Sequence, residues 1–314
     1  MTAPDYATLI DGPTWEFIRR TDASYPPDTA TLSIADQRAI YDRMCRAFHR
    51  GHPPGVMAED CSLGGVPCRV YAGTGGTVVY FHGGGFVVGG LHSHDDVCAE
   101  ICSSTGLCVV SVDYRLCPEH PHPAAFDDAI AATGAIAATF PAPLLLAGDS
   151  AGGNLAAATA HAIGRNGALG IAGQVLIYPG LGGNHDAGSY LTHAKAPMLT
   201  RDDVMFYATI RHGNGPEPSP NPTFAPLADT DFTGLPPTLA IAAECDPLAD
   251  DAAAYVAAIT AAGGRAIAVT EPGLVHGYLR ARATVPRAAR SFARITAALS
   301  DLSRNTWPVG GDPA

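Results

Sequence analysis

From residue 57 onward, short apolar runs alternate with Ala-rich stretches of helical spacing. The runs TVVYF (77–81), LCVVSVDY (107–114), PLLLAGD (143–149), GQVLIYP (173–179) and PTLAIAAE (237–244) are apolar almost without interruption. A strand buried on both faces needs such a run, whereas a strand with one wet face alternates. RAIAVT (265–270) reads as a last strand, and helical stretches fall at about 122–138, 150–165 and 248–262. This order predicts an α/β fold with a mostly parallel central sheet and helices on both faces. Two runs near 57–62 and 67–72 predict an antiparallel hairpin at one edge.

The first 50 residues carry no strand signal. Ser33-x-x-Asp36 reads as a helix start, and Ile40, Met44 and Phe48 recur at four-residue spacing behind it. A second departure lies at about 180–235, rich in Gly, Pro, Asn and His, with one helical stretch near 200–211. It is too long for a plain loop. The expected organisation is an N-terminal helical cap over 1–50 and a catalytic domain over 51–314, with the 180–235 insertion completing the cap.

Candidate chemistry sits at two strand ends. Gly148-Asp149-Ser150-Ala151-Gly152 lies between LLLAG and the helical NLAAATAHAIG. A serine on so tight a strand-to-helix turn projects its hydroxyl at the sheet edge, and the glycines leave room for the turn. His82-Gly83-Gly84-Gly85-Phe86 follows TVVYF directly. Amides of Gly83 and Gly84, with that of Ala151, are the expected donors to an oxyanion. A serine nucleophile needs a base, and the base an orienting acid. Of the histidines after Ser150, namely 161, 185, 193, 212 and 276, only His276 follows the last strand. Asp246 lies just past TLAIAAE, while Asp250 and Asp251 belong to the next helix and read as a solvated first turn.

Four blocks carry a resemblance: HGGGFVVGGLHSHD (82–95), DYRLCPEHPHPAAFDD (113–128), GDSAGGNLA (148–156), and ECDPLADD (244–251) with HGY (276–278). In this order they make the chain resemble the hormone-sensitive-lipase-like bacterial esterases of the α/β-hydrolase superfamily. The resemblance implies a Ser150–Asp246–His276 triad and an oxyanion hole from Gly83, Gly84 and Ala151. It implies hydrolysis of short to medium acyl esters through an acyl-enzyme, without metal or organic cofactor. Amide, lactone or carbamate hydrolysis and acyl transfer would use the same groups, and a small-molecule receptor is the reading from another class. Cys117, His122 and Ala252 depart from the family's usual residues without touching the triad. Oligomeric state stays open, a homodimer being common in the family.

Charge and composition narrow the partners. A formal net charge of −11 repels phosphate backbones, which disfavours nucleic acid. No apolar run approaches the length of a membrane span, and MTAPDYATLIDGPTWEF has neither a basic nor an apolar leader segment. The eight cysteines follow no metal or disulfide spacing, so reduced thiols and a cytoplasmic location are expected. His92-x-His94-x-Asp96 has metal-like spacing but no further ligand close by, and Arg115 and Glu119 read as structural charges.

Overall fold

The computed structural model describes residues 4–27, 29–213 and 220–307. Residues 1–3 and 28 of the expected N-terminal cap, and 214–219 of the expected insertion, lie outside these. Three helices come first: α1 (Tyr6–Leu9), α2 (Gly12–Asp22) and α3 (Ile34–Phe48). Each starts on a side-chain oxygen, from Asp5, Asp11 and Ser33, that accepts a backbone N–H of the first turn. Ser33 caps at Asp36 as its spacing suggests, and Ile40, Met44 and Phe48 form the buried stripe of α3.

The remaining elements follow in chain order as β1 (Ala58–Leu63), β2 (Val66–Tyr71), β3 (Thr77–Phe81), α4 (Asp95–Thr105), β4 (Cys108–Val112), α5 (Ala124–Thr139), β5 (Leu144–Asp149), α6 (Ala151–Ile163), β6 (Ile171–Ile177), α7 (Ser189–Thr192), α8 (Arg201–Arg211), β7 (Thr238–Cys245), α9 (Ala249–Ala261), β8 (Ala266–Val275) and α10 (Pro286–Ser303). The strands form one sheet in the order β1-β2-β4-β3-β5-β6-β7-β8. The β1–β2 hairpin and the β2–β4 pair are antiparallel, and every other pairing is parallel. Every residue of β3, β4 and β5 is buried, as their unbroken apolar runs require.

The structure departs from the sequence pattern in three places. The stretch after 270, expected as a loop, stays in β8 to Val275, with Gly273 at φ +65°. A register shift after Ala243 then sets Cys245 opposite Val275. The next residues on these neighbouring strands are Asp246 and His276. The second departure is α10, which the strand–helix alternation does not announce. Its buried Ser291, Phe292, Ile295, Leu299 and Leu302 recur at helical spacing and pack against β6, where Leu302 covers Gly173.

The third concerns Asp250 and Asp251, which hold the insertion to α9. Asp250 accepts the backbone N–H of Ser189 at 2.8 Å. Asp251 is only 1% exposed, so it is no solvated first-turn carboxylate. It accepts from the Leu181 amide at 2.6 Å, the Tyr190 hydroxyl at 3.1 Å and the Gly183 amide at 3.4 Å.

Burial pushes the Asp251 carboxyl up to about 7, against the pull of those three donors. Its unfolded value is about 4, so between these limits the folded chain binds the extra proton and loses stability as pH rises. Asp251→Asn removes this titration. Urea unfolding from pH 4.5 to 7.5 should show the wild-type protein losing stability relative to the variant by a few kcal/mol. A constant difference across that range would refute the assignment.

Candidate active site

The β5–α6 turn is tight because small residues let its elements touch. A Cβ on Gly152 would lie 1.9 Å from the Phe81 carbonyl oxygen, so only glycine lets α6 descend onto the end of β3. Ser150 sits between strand and helix at φ 55°, ψ −118°. Such a conformation costs a non-glycine residue about 1–3 kcal/mol. It is held by the Ser150 N–H donating to Ile177 O at 2.9 Å and the Asn154 N–H donating to Ser150 O at 3.1 Å.

Three side chains far apart in sequence meet at this turn. Ser150 Oγ lies 2.8 Å from His276 Nε2, and His276 Nδ1 lies 2.6 Å from Asp246 Oδ2. Asp246 is fully buried, and its Oδ1 accepts the Leu248 amide at 2.9 Å. A carboxylate at Nδ1 keeps the proton there, which leaves Nε2 free to accept the serine proton. Of the other candidate histidines, His161 faces Asp229 at 2.6 Å and His193 faces the Tyr6 hydroxyl at 3.1 Å.

The glycine loop requires a correction. The Gly83 amide, expected as an oxyanion donor, donates to Asp149 Oδ1 at 3.0 Å. Gly83 is buried beneath the loop and does not face the cavity around Ser150. Gly84, Gly85 and Ala151 do line that cavity, and their amides have no acceptor among the described residues. The reason is backbone direction: the chain turns over at Gly84, φ +133°, and only amides from there on face outward. Sequence spacing could not distinguish the first glycine from the second.

Asp149, the variable position of the G-x-S-x-G motif, is the residue whose importance the motif did not reveal. It is 2% exposed. Besides Gly83 it receives the Tyr80 hydroxyl at 2.8 Å and the Tyr178 hydroxyl at 3.3 Å, and it faces His94 Nε2 at 3.2 Å. Burial pushes its carboxyl up, but His94, Arg280 and Tyr80 outweigh that and hold it well below the usual carboxylate range. His82 is buried and neutral, its pKa lowered to about 3 by desolvation, and its ring stacks on Tyr114 at 4.3 Å.

The remaining candidates have separate partners. His92 meets Asp42 at 2.7 Å, His94 meets Asp149, and Asp96 accepts Arg282 Nη2 at 2.8 Å. No three His, Cys, Asp or Glu side chains are grouped to hold a metal among the described residues. Arg115 pairs with Asp128, and Glu119 with Arg38 of α3. Cys245 is buried; that burial, with the neighbouring carboxylates, pushes its thiol up to about 12 and leaves it protonated.

A cavity of about 1020 Å³ opens above Ser150. Tyr25, Tyr41 and Met44 line it from the N-terminal segment, and Phe206 and Tyr207 from α8. Tyr207 packs flat on Gly85, where a Cβ would come within 2.6 Å of its ring.

Residues 78–280 match a family described as having the alpha/beta hydrolase fold. The chain is 40% identical to carboxylesterase NlhH of Mycobacterium tuberculosis, over 95% of this chain and 92% of that protein. It resembles the crystal structure of a hyperthermophilic esterase from the archaeon Pyrobaculum calidifontis with a TM-score of 0.85 at 30% identity, covering 94% and 99% of the two chains. It also resembles an esterase from the bacterial hormone-sensitive lipase family, TM-score 0.84 at 27% identity, covering 93% and 99%.

Asp149→Asn sets an amide N–H₂ against a shell made largely of donors. Its cost should be on the order of 3 kcal/mol of stability, because buried donors lose a charged acceptor. Ester turnover should fall as well, since the glycine loop loses its anchor. Unchanged thermal unfolding together with unchanged turnover would refute this role.

Proposed function

The chain belongs to the hormone-sensitive-lipase-like branch of the α/β-hydrolase fold and is a carboxylic ester hydrolase, and from that premise we propose that Ser150, His276 and Asp246 form its catalytic triad. The observation that carries this reading is the unbroken hydrogen-bonded path from buried Asp246 through His276 to the Ser150 hydroxyl. His276 takes the serine proton as Oγ attacks the ester carbonyl, and Asp246 stabilises the imidazolium so formed. The tetrahedral oxyanion is received by the amides of Gly84, Gly85 and Ala151, each such donor being worth on the order of 3 kcal/mol in the transition state. His276 returns its proton to the leaving alcohol, and water then repeats the sequence on the acyl-enzyme.

Helices α1–α3 together with residues 180–235 act as the cap. Their support is the ring of side chains that both contribute to the cavity wall. The cap favours short and medium acyl chains, because its walls close over the serine from two sides. A reducing, cytoplasmic setting agrees with eight free cysteines, even Cys61 and Cys68, which stand opposite each other in the β1–β2 hairpin. Among the described residues, no helix is long and apolar enough to cross a membrane.

Ser150→Ala should reduce turnover of 4-nitrophenyl butyrate by roughly 10⁴-fold or more. Its unfolding midpoint should stay at or above that of the wild-type protein, since alanine changes one hydroxyl at the turn. Residual activity above a tenth would rule out Ser150 as nucleophile. Across a series of 4-nitrophenyl esters, butyrate and hexanoate should be turned over faster than hexadecanoate. The reverse order would remove the cap as the selector of chain length.

A further inference from the structure

Arg280 stands four residues after His276, within the 3₁₀ turn Tyr278–Ala281, and lines the same cavity. Its Nη2 donates to the Tyr41 hydroxyl and approaches Cys45 Sγ at 3.6 Å, both on α3. Its Cζ lies 5.0 Å from the centre of the Tyr41 ring. Its Nε is buried without a partner, and its Nη1 makes no hydrogen bond among the described residues. Nη1 lies 3.7 Å from where a Cβ on Gly277 would be, beside His276.

No carboxylate of the described residues reaches ion-pair distance of this guanidinium. Arg282, two positions on, pairs with both Asp96 and Glu100. Arg211, elsewhere on the cavity wall, donates to Phe224 O and Asn154 Oδ1 and lies between the Phe86 and Phe224 rings. Asp149 sits within the field of Arg280, yet its oxygens already face Tyr80, Gly83, His94 and Tyr178. Of the other acidic cavity residues, Asp186 and Asp202 face Arg201 and Lys195, Asp203 caps α8, and Asp22 stands exposed at the end of α2 without reaching ion-pair distance of Arg280. An arginine withdrawn from bulk water without a directly paired anion is costly. A planar guanidinium with free N–H groups matches a carboxylate in shape and charge.

We propose that Arg280 is a carboxylate-recognising subsite of the cavity, so that this hydrolase selects esters bearing a carboxylate, such as monoesters of dicarboxylic acids or acyl esters of hydroxy acids. The proposal rests on the ester-hydrolase reading above. Nη1 donates its N–H groups to the carboxylate, while Tyr41 and Cys45 hold Nη2 and fix the plane of the group.

The test compares kcat/KM for matched anionic and neutral esters. Mono-4-nitrophenyl succinate against 4-nitrophenyl pentanoate places the carboxylate on the acyl side. 3-Acetoxybenzoate against 3-acetoxytoluene places it on the alcohol side. Arg280→Gln should lower the anionic-to-neutral ratio at least about tenfold in one of the pairs, mainly through KM, as expected for one lost charge-assisted hydrogen bond. Arg280→Lys, which keeps the charge but not the planar fork, should give a ratio between those of the wild-type protein and Arg280→Gln. A ratio untouched by Arg280→Gln in both pairs overturns the subsite, even if both activities fall together, because that result describes a residue that only ties α3 to the His276 loop. The wild-type protein supplies a second reading: benzoate should inhibit neutral-ester turnover competitively, at least about tenfold better than benzamide. Equal inhibition overturns the proposal without any variant. A wild-type chain that turns over no ester at all would overturn the hydrolase reading itself, whereas an active enzyme indifferent to Arg280 overturns the subsite alone.

Discussion

The carboxylate of Asp149 gathers groups from four places in the chain, three of them more than fifty residues before it. Tyr80 reaches it from β3, Gly83 from the loop beyond, His94 from the start of α4, and Tyr178 from the end of β6. A buried carboxylate left unpaired would be intolerable, so these donors must converge for the fold to close. Once they do, the glycine loop has one position relative to the Ser150 turn. The Gly83 amide is consumed in making that bond, and the amides after it are left facing the cavity. One buried anion therefore governs both the cohesion of the sheet's upper edge and the direction of the donors above it.

Close packing of small residues makes the same edge possible. Gly152 lets α6 lie against the Phe81 carbonyl, and all of α6 from Ala151 to His161 is buried. An Ala-rich helix offers little apolar area per residue, but it approaches the sheet closely and packs without voids. The strained backbone of Ser150 is sustained by this environment, since its amide and carbonyl are both bonded to neighbouring chain.

The cavity wall carries both signs of charge, with Arg211 and Arg280 set among Asp22, Asp149, Asp186, Asp202 and Asp203. The net charge of −11 describes the surface and carries no information about the pocket. Inside, Arg211 is bound by carbonyls and aromatic rings, and Arg280 keeps part of its guanidinium free beside His276. The first 50 residues and residues 180–235 bring Tyr41, Phe206 and Tyr207 to the same space, so segments outside the sheet line the cavity.

The sheet was legible in the chain because a strand buried on both faces must be apolar throughout, and the runs at 77–81, 143–149 and 237–244 are. Ser150, Asp246 and His276 were legible too, since each follows a strand end in a fixed order and the motif around the serine depends on local backbone geometry. Other features were not. Asp250 and Asp251 looked like solvated first-turn carboxylates until the insertion folded over Asp251. The pairing of Asp246 with His276 depends on a register shift between β7 and β8, which no residue type announces. Gly83 and Gly84 are chemically identical, and only their hydrogen-bond partners separate the one that ties the loop from the one that faces the cavity. Sequence by itself determined the strands, the tight turn at Ser150 and the chain order of the proposed triad, because these follow from local apolar patterning and backbone sterics. Tertiary structure alone decided which amides, carboxylates and arginines are already bonded and which remain free, because a polar group's role depends on the partner that burial brings to it.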